Sequence, residues 1–274
     1  MISDIHVHSN FSSDSVELME NHVKKAIEKG MKYIGFSDHQ DFDAFLLPPE
    51  NLNYLLGGNG DAETYINKIH ELRDKYADKI NVLAGVEMGL KPCIGQLAED
   101  YSRRFEFDYV IASVHGFNGF DGGDRRLHEG KTARETIVGY FVTELECMHA
   151  FHNYNVWGHL DYIVRHTEGK CDAMKIADYY DLVDLLLKNL INEGKCIDCN
   201  TDLLSRGFHH FHPHTDILKR YKELGGELIS FGSDGHNCNA IGRAFDRAAA
   251  IAKECGFQYY AVFRNRKPIM LPIE

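Results

Sequence analysis

The segment Ile-Ser-Asp-Ile-His-Val-His (residues 2–8) decides the fold class, because a short apolar strand pattern ends there in two histidines. His6 and His8 are two residues apart, so on a β-strand both imidazoles point to the same face. The same arrangement, an apolar run that ends in metal-capable side chains, recurs in five further segments. These are residues 33–39, 81–87, 109–115, 155–161 and 228–236, which end in Asp38, His39, Glu87, His115, His159, Asp234 and His236. In a barrel of parallel strands, all these ends meet on one face.

Helical patterns separate these strands along the chain. They cover residues 15–29, 61–78, 96–104, 132–153, 172–193, 214–224 and 243–255, and a seventh strand is predicted at 195–200. Alternating strands and helices favour a parallel sheet with right-handed crossovers. The predicted fold class is α/β, a distorted (β/α)7 TIM-like barrel. An open doubly wound sheet is the main alternative, but no glycine-rich phosphate loop supports it. We interpret residues 57–60 as a loop and residues 258–273 as a short ribbon.

The composition limits the domain count and the classes of function. With 274 residues, 44% of them hydrophobic, the chain suits one domain that spans residues 1–274. A net charge of −11 argues against a dispersed nucleic-acid surface, and no apolar run is long enough to span a membrane. The seven cysteines and the lack of an apolar leader favour a reducing cytoplasm. We interpret Cys196 and Cys199 as structural, because residues three apart on a strand face opposite sides. The oligomeric state is not indicated.

Histidines and carboxylates at the strand ends predict a multi-metal hydrolytic centre. Glu87 ends an otherwise apolar strand, where an ionised carboxylate is costly unless it is paired or binds metal. Because one carboxylate can bridge two ions, Glu87 is the expected shared ligand, and His115 and His159 would complete the second ion.

The other expected ligands divide over two further ions, with Asp234, His6 and His8 on the first and His236, His39 and Asp14 on the third. Asp14 also immediately precedes the first predicted helix, so two roles stay open for it, helix N-cap and metal ligand. Asp38 precedes His39 and is interpreted as a partner that holds the imidazole of His39 in place.

These motifs resemble those of the polymerase-and-histidinol-phosphatase (PHP) superfamily, and the resemblance extends over residues 4–242. The matching motifs are HxH (6–8), DH (38–39), the strand-end Glu87, Ser-Val-His (113–115), Gly-His-Leu-Asp (158–161) and Ser-Asp-Gly-His (233–236). Within the superfamily the chain most resembles the monofunctional histidinol-phosphate phosphatases. The resemblance implies a distorted (β/α)7 barrel with a trinuclear centre. The implied ligands are His6, His8, Glu87 and Asp234 for the first ion, Glu87, His115 and His159 for the second, and Asp14, His39 and His236 for the third.

The resemblance also implies a reaction. It is the hydrolysis of L-histidinol phosphate to L-histidinol and phosphate in histidine biosynthesis, with a hydroxide that bridges metal ions as the nucleophile. The implied cofactors are two or three divalent ions, and mixed histidine and carboxylate ligation suits zinc, iron and manganese. The partner would be a small phosphorylated substrate. The alternatives are a PHP phosphoesterase for another small phosphomonoester, an enzyme that cleaves nucleotides or oligonucleotides, and a non-enzymatic metal-binding protein.

Charged residues that follow the strand ends are candidates for catalysis. Arg165 is the first candidate for a bidentate grip on phosphate, and Arg206 is the second. Two roles stay open for Asp161, which are protonation of the leaving alkoxide and orientation of a ligating histidine. The expected catalytic residues are therefore Asp234, Asp161 and Arg165.

The residues that recognise the rest of the substrate are less well marked in the sequence. The histidine-rich residues 209–214 contain a proline and follow a strand end, so we interpret them as a substrate wall rather than a further metal site. The expected contacts with the substrate are His209 in this wall and Phe117 in the loop after His115.

Overall fold

The computed structural model describes residues 2–42, 62–167 and 175–274, in which short strands and helices alternate. The strands are β1 (Ser3–Asp4), β2 (Tyr33–Phe36), β3 (His39–Asp41), β4 (Asn81–Ala84), β5 (Glu87–Gly89), β6 (Ile111–Ser113), β7 (Gly116–Phe117), β8 (Phe120–Asp121), β9 (Val156–Trp157), β10 (Cys196–Asn200), β11 (Ile229–Gly232), β12 (Tyr259–Arg264) and β13 (Lys267–Pro272). The α-helices are α1 (Met19–Glu28), α2 (Ala62–Lys75), α3 (Gly95–Arg104), α4 (Arg125–His128), α5 (Ala133–Ala150), α6 (Tyr180–Asn192), α7 (Asp202–Ser205), α8 (Thr215–Glu223) and α9 (Phe245–Glu254).

Two parallel sheets carry the core of the fold. The first contains three strands in the order β1-β2-β4, and the second contains six in the order β11-β10-β9-β6-β5-β3. Every neighbouring pair within these two sheets is parallel. The predicted mixed α/β fold with a mostly parallel sheet is therefore confirmed.

The second and third strands predicted from the sequence are each divided between the two sheets. The segment predicted as one strand at 33–39 divides into β2 and β3, and the segment at 81–87 divides into β4 and β5. Because β2 pairs with β4 and β3 pairs with β5, both segments pass from the first sheet into the second at the same level. The break leaves His39 and Glu87 paired in register at the start of the second sheet.

Backbone hydrogen bonds also join the first strand of the chain to the last parallel one. Ile5 N donates to the carbonyl oxygen of Phe231 at 3.3 Å, and His8 N donates to that of Gly235 at 3.0 Å. Val7 and Gly235 form an isolated parallel bridge between these two bonds.

Tyr109 fills the interior where the strands divide. Its hydroxyl lies 2.7 Å from the carbonyl oxygen of Ile5 and 3.1 Å from that of Phe36, and the whole side chain is buried. A Cβ atom at Gly35 would lie 2.4 Å from this hydroxyl, and one at Gly85 would lie 2.2 Å from the ring. The two glycines are therefore required by the close approach of the aromatic ring, since interiors are packed at crystal-like density.

The helices cover the sheets with the apolar stripes that the sequence pattern predicts. Helix α1 buries Met19, Val23 and Ala26, which lie on one face at helical spacing. Helix α5 begins with a capping box, in which Thr132 accepts from Glu135 N and the side chain of Glu135 accepts from Thr132 N. Helix α1 begins four residues later than predicted, and a 3-10 turn (Ile176–Tyr179) precedes α6. The first residues of the predicted helix 172–193 and the predicted loop 57–60 lie outside the described residues.

The C-terminal segment forms the predicted ribbon. Strands β12 and β13 pair antiparallel from Tyr259–Pro272 to Arg264–Lys267. At the turn, Asn265 N donates to Asp108 Oδ1 at 3.0 Å and Arg266 N donates to the carbonyl oxygen of Asp108 at 2.8 Å. The ribbon is thereby fastened to the amino-terminal side of the sheet, away from the strand ends that carry the histidines.

The cysteines of strand β10 are part of the core. Cys196 and Cys199 are both free and fully buried, and burial raises the pKa of each thiol. This agrees with their structural interpretation and leaves no accessible thiolate for redox or metal chemistry at this pair. Within the described residues, no helix combines the length and apolar character needed to cross a membrane.

Candidate active site

All nine side chains expected to bind metal converge at the carboxyl ends of the parallel strands. They form four overlapping groups in which one ligand atom of each member lies within 4.8 Å of the others. The groups are His8, Asp14, His39 and His236; His6, His8 and Glu87; His6, His159 and Asp234; and His39, Glu87 and His115. Six separate segments of the chain therefore contribute to one cluster, which we call the donor cluster.

Glu87 lies at the centre of the donor cluster. Its two carboxylate oxygens lie 3.0 to 3.4 Å from ring nitrogens of five histidines, which are His6, His8, His39, His115 and His159. The first three face Oε2, and the last two face Oε1. This is the geometry of a carboxylate that can serve two ions, one on each oxygen.

The electrostatics of the cluster follow from Glu87. Burial alone would raise the pKa of Glu87, but the charges of His6, His39 and His115 outweigh burial and hold it well below its usual range. Burial alone would lower the pKa of these three histidines, but the Glu87 carboxylate and the neighbouring aspartates together outweigh burial and raise the pKa of each. The site thus favours positive charge at its centre, whether carried by protons or by cations.

Asp234 enters the cluster from a strained backbone. Its φ of 53° lies in the left-handed region, which is uncommon for a residue with a side chain and recurs at functional sites. One carboxylate oxygen lies 3.1 Å from His8 Nε2 and 3.8 Å from His6 Nε2. The other accepts a hydrogen bond from Asn200 Nδ2 at 3.1 Å, so the carboxylate is held from both sides.

Asp14 belongs to the donor cluster and not to a helix cap. Its Oδ2 atom lies 2.8 Å from His236 Nε2 and 3.4 Å from His39 Nε2. Helix α1 begins only at Met19, with Leu18 as its N-cap residue and no side-chain cap. The N-cap interpretation of Asp14 is therefore wrong, because residues 15–18, which are not helical, separate the aspartate from the helix.

Divalent cations fit this arrangement, as the unpaired atoms of the cluster show. His6 Nε2, His8 Nε2, His39 Nδ1 and Glu87 Oε2 are all buried without a hydrogen-bond partner among the described residues. A buried polar atom that lacks a partner costs about 1–3 kcal/mol, so four at one point are unfavourable unless a ligand binds there. Imidazole nitrogen and carboxylate oxygen are the donors that zinc, iron and manganese accept.

Several partners that hold the ligands in place were not recognised in the sequence. Asp198 Oδ2 lies 2.8 Å from His6 Nδ1, and both side chains are fully buried. Asp41 Oδ1 lies 3.4 Å from His115 Nδ1. The signal for Asp198 was present, since an acidic residue inside the apolar strand 195–200 needs a partner.

Asp38 has a different role from the one expected. Its Oδ1 atom accepts hydrogen bonds from Ser9 N at 2.6 Å and from Ser12 N at 3.0 Å, and both serine hydroxyls also donate to the carboxylate. Burial raises the pKa of Asp38 to about 6, although these hydrogen bonds oppose the rise. Asp38 therefore shapes the turn after His8 instead of holding the imidazole of His39.

A cavity of about 470 Å³ opens over the donor cluster. Besides cluster members, its walls are formed by Asp41, Lys91, Gly116, Phe120, Asp121, Gly123, Asp124, Tyr162, Arg165 and His166. Pockets for small molecules lie within the range of about 300–1,000 Å³. The space therefore suits a small phosphorylated compound better than a polymer.

Of the two arginines expected to bind phosphate, only Arg165 lines this cavity. Its guanidinium carbon lies 4.0 Å from the centre of the Tyr162 ring, and its Nη1 atom donates to Asp202 Oδ2 at 3.1 Å. Arg206 donates to the same oxygen of Asp202 at 2.8 Å, but 61% of its side chain is exposed. Arg206 is thus a surface residue that binds Asp202, which in turn steadies Arg165.

Asp161 lies outside the cavity. It is fully buried, its Oδ1 atom bonds His212 Nδ1, and its Oδ2 atom accepts from His214 N at 2.8 Å. Burial alone would raise the pKa of Asp161, but the charge of His212 and its hydrogen bond outweigh burial and lower it. The expectation that Asp161 protonates a leaving group does not agree with this position, because both oxygens are occupied away from the cavity.

His209 and Phe117, the expected substrate contacts, do not line the cavity either. His209 is exposed, whereas His210 and His212 of the same segment are buried. Phe117 is 3% exposed and packs its ring against Tyr140. The aromatic residue of this hairpin that reaches the cavity is Phe120. The alternation of side chains in β7 and β8 could not be read from so short a segment.

Comparison with known proteins identifies the family of this chain. The sequence profile of the PHP domain family matches residues 4–202. The histidinol-phosphatase of Lactococcus lactis subsp. lactis is 31% identical over 271 residues, which cover 96% of this chain and 95% of that protein. A probable histidinol-phosphatase of Clostridium acetobutylicum is 29% identical over 94% of this chain and 95% of its own length.

A solved structure extends this similarity to the fold. The crystal structure of histidinol phosphate phosphatase from Lactococcus lactis, complexed with zinc, L-histidinol and phosphate, superposes with a TM-score of 0.85. The superposition covers 97% of this chain and 98% of that one at 30% sequence identity. With a matching sequence profile over most of its length and relatives that align from end to end, the chain belongs to the PHP domain family.

Proposed function

We propose that the protein is a metal-dependent phosphomonoesterase that hydrolyses L-histidinol phosphate to L-histidinol and phosphate, as in histidine biosynthesis. The observation that carries the proposal is a histidine and carboxylate cluster that opens into a small cavity beside Arg165. The related Lactococcus lactis structure, which matches this chain over nearly its whole length, has zinc, L-histidinol and phosphate bound. The net charge of −11 and the small volume of the cavity argue against nucleic acid as the substrate. Free cysteines fit a reducing compartment, and we place the reaction in the cytoplasm.

We further propose that the parallel strands form a single distorted (β/α)7 barrel and that residues 1–274 are one domain. The bonds from Ile5 to Phe231 and from His8 to Gly235 support closure, because they link the first parallel strand to the last. The division of two strands between the sheets supports the distortion. Ligands at the carboxyl ends of the strands agree with the usual place of active sites in such barrels.

The proposed metal ligands are all members of the donor cluster, and their division over three ions is the one that the resemblance implies. His6, His8, Glu87 and Asp234 would hold the first ion, Glu87, His115 and His159 the second, and Asp14, His39 and His236 the third. Divalent ions bound there supply Lewis acidity toward phosphoryl oxygens and lower the pKa of a bound water. Glu87 keeps the first two sets together, since its two oxygens face different histidines.

Arg165 is the proposed phosphate-binding residue of the chain itself. A guanidinium binds phosphate with two parallel hydrogen bonds, and it keeps its charge at every physiological pH. Stacking on Tyr162 and the bond to Asp202 fix its plane before the substrate arrives. Such preorganisation reduces the entropy lost on binding and holds the phosphoryl group over the donor cluster.

A phosphate-release panel tests the proposal. Protein loaded with zinc, iron or manganese is assayed with L-histidinol phosphate, a sugar phosphate, a nucleoside monophosphate and an oligonucleotide, each with and without a chelator. We expect L-histidinol phosphate to have the highest kcat/KM and the chelator to abolish release. If L-histidinol phosphate is among the poorest substrates, the proposed substrate is wrong. If oligonucleotide cleavage exceeds phosphate release, the enzyme is a nuclease.

A further inference from the structure

We propose that Asp121 binds the ammonium group of the substrate, so that the cavity selects phosphate esters of amino alcohols. The inference rests on the proposed phosphatase function and adds to it the residue that recognises the non-phosphate part. An ester of this class carries a phosphate at one end and a primary ammonium near it. The cavity must then offer positive charge at one side and an unpaired carboxylate at the other.

The fold fixes Asp121 relative to the donor cluster. Strands β7 and β8 form a hairpin that follows directly from His115, and Gly116 pairs with Asp121 in its antiparallel register. Gly122 N then donates to the carbonyl oxygen of His115 at 2.8 Å. Asp121 is thus held by backbone hydrogen bonds to the same segment that supplies a proposed metal ligand.

Asp121 is the carboxylate of the cavity wall that remains available for a ligand. Asp14, Glu87 and Asp234 belong to the donor cluster, and Asp41 faces His39 and His115. Asp124 caps α4 and forms an ion pair with Arg126 at 2.6 Å. Asp121 Oδ1 accepts from Gly123 N at 2.8 Å, and within the described residues Asp121 has no ion-pair partner. Its Oδ2 atom is therefore free to accept from an ammonium group.

Two glycines let the hairpin lie against an aromatic wall. A Cβ atom at Gly122 would lie 2.9 Å from Tyr162 Cε1, and one at Gly123 would lie 3.2 Å from Asp121 Oδ1 and 3.3 Å from His166 Cε1. The Asp121 carboxylate therefore lies beside the rings of Tyr162 and His166. A flat heteroaromatic group attached to an amino alcohol would find ring surfaces next to the carboxylate.

The same wall connects Asp121 with Arg165. The guanidinium of Arg165 stacks on Tyr162, and its Nε atom donates to His166 Nε2 at 3.0 Å. Burial, together with the charge of Arg165, lowers the pKa of His166 to about 3, so this ring is neutral at physiological pH. A neutral His166 does not compete with an ammonium group for Asp121, and opposite charges stand at the two ends of one wall.

The test compares two substrates that differ only in the amine, L-histidinol phosphate and the phosphate ester of 3-(imidazol-4-yl)propanol. In Asp121→Asn, the amide oxygen can still accept from Gly123 N, but the charge is lost. An ionic hydrogen bond contributes about 1.5–3 kcal/mol, so kcat/KM for L-histidinol phosphate should fall about 10- to 100-fold. Activity on the ester without an amine should stay within about twofold, because neither protein can bind a missing ammonium. The exposed Asp246→Asn on α9 is the matched control and should change neither value.

The outcomes distinguish failure of the proposed substrate from failure of the proposed ammonium site. If the wild-type protein hydrolyses neither ester, the proposed substrate is wrong. If it hydrolyses both esters equally, L-histidinol phosphate remains a substrate but the cavity does not recognise the ammonium group, and the Asp121 inference is overturned. If the wild type prefers L-histidinol phosphate and Asp121→Asn lowers both activities equally, or neither, Asp121 is not the ammonium site. Metal content and circular dichroism of the variant must match the wild type. Should the variant not fold, Asp121→Ser and inhibition of the wild type by L-histidinol against 3-(imidazol-4-yl)propanol replace it, and equal inhibition would overturn the inference.

Discussion

Removal of the Asp198 carboxylate should weaken metal binding without touching any proposed ligand. Asp198 Oδ2 lies 2.8 Å from His6 Nδ1, and this bond leaves His6 Nε2 directed at Glu87. The carboxylate fixes the ring orientation and tautomer of His6, and it raises the basicity of the nitrogen that binds metal. Both side chains are fully buried, so water cannot replace the bond at low cost.

The expected loss of metal affinity differs between two substitutions, Asp198→Asn and Asp198→Ala. Loss of such an outer partner usually costs about 10- to 100-fold in metal affinity, which corresponds to about 1.4–2.8 kcal/mol. Asp198→Asn keeps an acceptor for His6 Nδ1 but removes the charge, so its loss of metal affinity should be near the lower end of this range. Asp198→Ala removes the acceptor and the charge, and it also leaves a cavity between β10 and its neighbours. Its loss of metal affinity should therefore be near the upper end of the range.

Zinc affinity is measured by competition with a chromophoric chelator, in parallel with thermal unfolding of the zinc-free proteins. Asp108→Asn is the matched control, because Asp108 is also a buried carboxylate but binds Arg73 and Ala84 N away from the donor cluster. It should lower the melting temperature and leave zinc affinity unchanged. A folded Asp198→Ala protein that binds zinc within about twofold of the wild-type affinity would refute the reasoning.

Three further changes test other parts of the molecule. Glu87→Ala should lower the bound metal by two equivalents, since Glu87 belongs to two donor groups, and elemental analysis with unchanged stoichiometry would exclude the shared role. Arg165→Ala should retain metal, but its kcat/KM and its affinity for inorganic phosphate should each fall about 10- to 100-fold. Full activity of this variant would show that Arg165 does not bind the phosphate. Glu144→Gln should stabilise the protein at pH 8 but not at pH 4, as melting temperatures across this range will show.

The sign of the Glu144 effect follows from its surroundings. The carboxyl is fully buried, accepts from Trp157 Nε1 at 3.1 Å, and has Tyr140 and Asp161 as its other titratable neighbours. Burial raises its pKa well above the usual value, so folding favours the neutral acid. Its contribution to stability is fully present below the unfolded pKa and is lost as pH rises through the folded pKa. A melting-temperature difference that does not grow with pH would contradict this account.

The sequence predicted the elements that depend on local pattern. Strand ends such as those at His115 and His159 follow runs of apolar residues, and each of these histidines lies two residues beyond the end of its strand. Parallel order and the gathering of the ligands then follow from alternation of strands and helices. The ribbon at 258–273 was also predicted, because it contains two short apolar runs, residues 259–263 and 269–272, on either side of a polar segment.

The side-chain partners of the site residues could not be predicted, because they depend on contacts between segments that are distant in the sequence. The hydrogen bond from His6 to Asp198 joins residues 192 positions apart, and no periodic pattern reports such a contact. The position of Asp161 could not be predicted for the same reason. Because it closely follows the proposed ligand His159, we expected its carboxylate to lie in the cavity. In the fold it turns away toward His212 and His214, because the segment 209–214 passes behind it.

The packing of Tyr109 between Gly35 and Gly85 has a consequence for how this chain can change over time. Gly35 can gain a side chain only after the tyrosine has been replaced by something smaller, because a Cβ atom there would lie 2.4 Å from the tyrosine hydroxyl. A Cβ atom at Gly85 would also lie 2.6 Å from the carbonyl oxygen of Phe36, so a smaller residue at 109 does not open that position. A smaller residue at 109 alone would open a void and release the carbonyl oxygens of Ile5 and Phe36 from their donor. Positions 35 and 109 are therefore epistatic, and a library that varies positions 35, 85 and 109 one at a time should recover only the starting residues.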